Sequence, residues 1–61
     1  MELTKDQLHH IAVNYLPREG KFATLLAEAY LYADSDNQHR IEHAFMDLFK
    51  RAYIKWAGYD E

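Results

Sequence analysis

Three apolar stripes at helical spacing run along the chain, and short polar breaks separate them. In the first, Leu8, Ile11, Ala12 and Tyr15 follow the i, i+3, i+4, i+7 rule of a half-buried helix. Thr4 and Gln7 stand before it at capping-box spacing, with Leu3 and Leu8 at the two staple positions. Pro17 disfavours helix at Leu16 and closes the run. The second stripe is Phe22, Leu25, Leu26, Ala29, Tyr30 and Ala33. The third is Ile41, Ala44, Phe45, Leu48, Phe49, Ala52, Tyr53 and Trp56. Ser35 and Gln38 open it as a second capping box, Asp36 is the alternative N-cap, and Gly58 supplies the C′ position. No alternating run or hairpin turn is present. The pattern predicts an all-α fold, a single small domain over 1–61 with three helices at about 5–15, 20–33 and 36–57. The expected core is Leu8, Ile11, Tyr15, Phe22, Leu25, Leu26, Ala29 and Tyr30, joined by Ile41, Phe45, Leu48, Phe49 and Ala52.

The second helix is apolar almost all round. Ala23, Ala27 and Leu31 extend its surface on one side and Tyr32 on the other, leaving only Lys21, Thr24 and Glu28 as a polar strip. Such a helix is covered on more than one side. Size points the same way. Folding a chain this short hides about 60% of its unfolded surface. The apolar share is worth on the order of 95 kcal/mol, against about 90 kcal/mol of ordering entropy. The chain has no cysteine, so neither a disulfide nor a thiolate zinc site supplements that margin. A homodimer or higher oligomer is therefore expected. Its interface is placed on the Ala23, Ala27 and Leu31 face, where alanines four apart allow close approach, or on Tyr32, Tyr53, Trp56 and Tyr59. Trp56 also fits the core stripe.

Charge and motifs narrow the function. The net charge is −3 and the seven basic residues form no long run, which disfavours nucleic acid as a partner. No stretch is long and apolar enough for a membrane span and none has the secretory pattern, so a cytoplasmic location is expected. His39, Glu42 and His43 match H-x-x-E-H, in which two histidines one turn apart bind zinc and the glutamate acts as base. Three fixed positions match by chance often, and a peptidase needs a third ligand and a cleft. His39 and His43 are retained only as weak metal candidates. His9 and His10 point about 100° apart and chelate poorly. There is no nucleophile constellation and no glycine-rich phosphate loop. The expectation is a non-enzymatic protein-interaction module without cofactor. The alternative is a small-ligand or nucleotide-binding homo-oligomer, with a pocket between subunits in which Arg40, Glu42 and Arg51 meet an anionic ligand beside the aromatics. A zinc-dependent hydrolase ranks last.

Ala33-Asp34-Ser35-Asp36-Asn37 before the third helix, and Ala44-Phe45-Met46-Asp47-Leu48-Phe49 within it, carry a resemblance. Residues 30–49 are similar to short open reading frames of tailed bacteriophages and prophages, over about a third of the chain. The resemblance implies a phage accessory protein in the host cytoplasm that binds and modulates a host factor. It assigns no site residues.

Overall fold

The computed structural model describes residues 2–59, the side chain of Tyr59 excepted. Thr4 caps the first helix, α1 (Lys5–Asn14), as its spacing predicts: its Oγ1 accepts from the Gln7 amide at 3.1 Å, and its own amide donates to Gln7 Oε1 at 2.8 Å. Leu3, at the staple position, packs against the core. Pro17 ends α1 but does not straighten the chain. Leu16–Glu19 form a 3₁₀ turn with Pro17 near its start, where a missing N–H is no loss. The turn folds Leu16 fully inward, so a residue expected only at a helix end is core.

Gly20 then redirects the backbone, with φ +117° and ψ −176°. Side-chain-bearing residues are essentially barred from that region. A Cβ there would meet no atom within 4 Å, so the requirement is conformational and not one of space. Helix α2 (Lys21–Tyr32) follows. Only Ala33 and Asp34 separate it from α3 (Ser35–Trp56). This short connection moves the cap one residue earlier than expected. Asp34, and not Ser35 or Asp36, accepts from the Asn37 amide, at 2.9 Å. Gln38 instead donates from Nε2 to the Tyr30 carbonyl at 2.9 Å and ties the two helices together at the corner. At the other end, Gly58 has no positive φ, and the chain runs on into a 3₁₀ turn, Ala57–Tyr59. The glycine this fold requires is Gly20. Helix α3 also bends where the sequence predicts none: Phe45 has φ −123° and ψ 24°, outside the helical region, with neither proline nor glycine beside it.

Each helix touches the other two, and the Leu16–Glu19 turn touches all three. The Cα radius of gyration is 10.5 Å, matching the roughly 10–11 Å of a folded chain this long. The core joins Leu8, Ile11, Ala12, Tyr15 and Leu16 to Ala23, Ala27, Tyr30, Phe49 and Ala52. The main departure from expectation is the rotation of α2. Phe22, Leu25 and Ala29 face solvent. Ala23 and Ala27, expected at an interface between copies, are 3% and 2% exposed inside the single chain. Their small side chains do permit close approach, but to elements of their own chain.

Gly20→Ala is expected to lower the unfolding free energy by about 1–3 kcal/mol, and Gly58→Ala to change it by less than about 0.5 kcal/mol. Urea unfolding followed by circular dichroism measures both. Equal effects would contradict the assignment of Gly20 as the conformational hinge.

Candidate functional site

The charged residues of the interior belong to two clamps. The first is centred on Glu42, whose side chain, like that of Glu19, is buried. Its Oε2 accepts from the Tyr30 hydroxyl at 2.5 Å and from Lys5 Nζ at 2.6 Å. Its Oε1 faces His39 Nδ1 at 3.8 Å. One carboxylate thus joins α1, α2 and α3. Burial pushes the Glu42 carboxyl up, but the hydrogen bonds from Lys5 and Tyr30, with the Lys5 charge, outweigh it and hold it below the ordinary value. The Tyr30 phenol is pushed up, by burial first and then by its bond to the carboxylate. The bond to Glu42 raises Lys5 as well. Glu42 falls between Phe49 and Tyr53 on the helical wheel, at the edge of the third stripe, a position that could have signalled this site. Nothing in the sequence pattern pointed to Lys5.

The second clamp joins the Leu16–Glu19 turn to the end of α3. Trp56 Nε1 donates to Glu19 Oε2 at 2.8 Å, Lys55 Nζ lies 3.4 Å from the same oxygen, and Arg51 Nε lies 3.4 Å from Oε1. The Trp56 bond is the largest cause that holds the Glu19 carboxyl below its ordinary value; burial opposes it, and the Lys55 and Arg51 charges add to it. Arg18 and Lys55 also stand over the Trp56 ring, at 5.2 and 5.1 Å from its centroid. The apolar periodicity could not reveal Glu19, because it lies in the break between stripes.

Within the single chain these clamps hold apart the residues that the nucleotide reading draws together from two subunits. Arg51 is committed to Glu19, and Glu42 to Tyr30 and Lys5. Arg40 lies near the start of α3 and Arg51 near its end, about 16 Å apart along the helix. Arg40, Glu42 and Arg51 therefore do not form one ligand site within the chain. Tyr53 and Trp56 pack against the core, and the side chain of Tyr59 lies outside the described residues. The His39 and His43 rings stand 5.6 Å apart and, with Asp36 and Arg40, line a shallow depression of about 360 Å³. Among the described residues, no three His, Cys, Asp or Glu side chains gather in a way that holds a metal ion. No described helix is long and apolar enough to cross a membrane.

What the chain leaves open is the outer face of α2. Phe22, Leu25 and Tyr32 are 64%, 52% and 89% exposed, and Ala29 lies open between them. At 100° per residue these four form one stripe, with Lys21 and Glu28 along one edge. Phe45 of α3 borders the other edge, its ring centroid 5.8 Å from that of Phe22. Leu31, at 36% exposure, points away from the stripe. Of the expected interface residues, Tyr32 alone belongs to it. Comparison with protein-family models, curated proteins and solved structures yields no match to this chain.

Two tests follow from the clamps. Tyr30→Phe removes a hydrogen bond to a buried charge and is expected to cost about 1.5–3 kcal/mol. Lys5→Met, at a half-exposed partner, is expected to cost less, about 1 kcal/mol or below. The reverse order in thermal unfolding would contradict the clamp. Both carboxyls have lowered pKa values in the fold, so the unfolded chain binds protons more readily. Their stabilisation is complete above the ordinary glutamate value of 4.5 and is lost as pH falls through the folded values. Glu42→Gln and Glu19→Gln should each flatten the acid limb of melting temperature against pH. An unchanged limb in both would refute it.

Proposed function

We propose that the chain is a non-enzymatic protein-interaction module that works through the outer face of α2. The observation that carries this reading is the open stripe of Phe22, Leu25, Ala29 and Tyr32. The largest exposed apolar patch of a monomer is of a few hundred Å² and is often a functional surface. Aromatic side chains with a polar tip, such as Tyr32, are favoured anchors of protein interfaces. The disposition of the charged side chains supports the same reading. Glu19 and Glu42 are engaged by partners within the chain and hold it together. The similarity of residues 30–49 to tailed-phage reading frames favours a life in the host cytoplasm, where a host protein is a further candidate partner.

The test is a paired comparison of the wild-type chain with a Leu25→Lys, Tyr32→Lys double variant. Both substitutions lie on exposed positions, so helix content and melting temperature should stay close to wild type. The wild type is expected to associate with a defined protein, itself or another, and the double variant to lose that association by at least about tenfold in affinity. Equal association by the two proteins would remove the face from the proposal. Failure of the wild type to associate with any protein would end it.

A further inference from the structure

The partner of the α2 face can be named from its spacing, its charge and its area. Phe22, Leu25, Ala29 and Tyr32 follow one another at intervals of three, four and three residues. That is the a–d–a–d spacing at which one helix seats its side chains between those of another. We infer that this partner is a second copy of the same chain, with the two α2 helices paired antiparallel about a twofold axis near residue 27. The inference rests on the interaction-module reading above and adds the occupant.

Self-complementarity argues for this occupant. In the antiparallel register each residue faces the one whose number completes a sum of 54. Phe22 then meets Tyr32 of the other copy, and Leu25 meets Ala29. Each layer so pairs aromatic with aromatic or large with small, as close helix packing requires. A parallel pair sets Ala29 against itself and leaves that layer thin. The charges along the stripe are Lys21 and Glu28, one of each sign, so two copies of this face do not repel as wholes despite the net charge of −3. The antiparallel register also carries Lys21 of one copy to the Ala33–Asp34 corner of the other, where the Asp34 carboxylate lies exposed. No side-chain cap covers the start of α2, which begins at Gly20 without one. Antiparallel pairing sets each such positive end beside the negative end of a neighbouring helix.

The area is sufficient. With aromatic side chains at roughly 200 Å² each and leucine somewhat less, the four open side chains leave roughly 450 Å² of seam. Two copies hide at most roughly 900 Å² from these residues alone, against the ~1,000 Å² that a specific interface must reach. Phe45 at one edge and the stem of Lys21 at the other supply the remainder.

The experiment is sedimentation equilibrium on the wild type, Leu25→Lys and Glu28→Cys proteins at micromolar concentrations, with circular dichroism on each. The expected result is a dimer for the wild type and a dissociation constant raised about a hundredfold for Leu25→Lys at unchanged helix content. Glu28 lies at the rim close to the twofold axis. In a chain with no other cysteine, Glu28→Cys should therefore be joined to its own copy by a short bifunctional thiol reagent, whereas a parallel pair holds these positions on opposite sides. A wild type that stays monomeric overturns the self-pairing and leaves the interaction-module reading to its own test. A dimer that survives Leu25→Lys removes the α2 face from the self-pairing and leaves the interaction-module reading to its own test. A dimer in which Glu28→Cys is not joined overturns the antiparallel register. If Leu25→Lys loses helix content, Tyr32→Lys carries the same comparison, because that ring makes little use of the folded chain.

Discussion

The Glu42 carboxylate lies where α1, α2 and α3 meet, with the Tyr30 hydroxyl and the Lys5 ammonium on one of its oxygens. Removing a carboxylate from water carries an effective penalty of several kcal/mol unless geometry and hydrogen bonds offset it. The offset here comes from Lys5 first and then from Tyr30, the one partner that is itself fully buried. The Tyr30 bond sets the rotation of α2. Turning α2 about its axis to bury Phe22, Leu25 and Ala29 would swing Tyr30 off the carboxylate, so that the Tyr30 hydroxyl loses its partner and Glu42 keeps Lys5 without it. Apolar side chains have many acceptable neighbours. A buried charge has few.

The second clamp holds the far end of α3. Glu19 lies in a turn that touches all three helices, and Trp56 reaches it from the last turn of α3. Helix α3 is thereby tied at two points fourteen residues apart, about 21 Å along its axis. Its bend at Phe45 falls between those points. The bend lets the first half meet Tyr30 and Gln38's target on α2 while the second half meets the Leu16–Glu19 turn. No buried side-chain nitrogen or oxygen among the described residues lacks a partner. A chain without disulfides is therefore fastened by two satisfied polar networks.

What was legible in the sequence follows from the range of each interaction. The Thr4–Gln7 capping box, the break at Pro17 and the three helices depend on neighbours within one or two turns, and periodicity reports them. The face of α2 depends on Tyr30 meeting a residue twelve positions away, and the Glu19–Trp56 bond spans 37 positions. Periodicity carries no information at that range. Counting apolar residues therefore chose the larger stripe, Phe22, Leu25 and Ala29, over Ala23 and Ala27. Glu42 does fall at the edge of the apolar stripe on the wheel, a local trace of its long-range contact that the pattern alone does not separate from a side chain reaching out to water. For Gly20 and Gly58 the pattern of breaks was visible, but not which glycine carries the positive φ.

The nearly all-round apolar character of α2 now has a division of labour. One side, with Ala23, Ala27 and Tyr30, closes the single chain to the compactness of a folded domain. The other side carries Phe22, Leu25, Ala29 and Tyr32, which the single chain does not need. A surface helix without a partner gains from charged pairs one turn apart on its open face. Four apolar residues at seam spacing forgo that gain and add exposed apolar surface that promotes nonspecific association. The arrangement is consistent energetically when a complementary helix covers the seam, and a second α2 supplies the same spacing in reverse. On this reading the polar clamp does more than hold the monomer. By fixing Tyr30 inward, it fixes the aromatic and leucine stripe outward, so the interior hydrogen bond determines which face is presented to the partner.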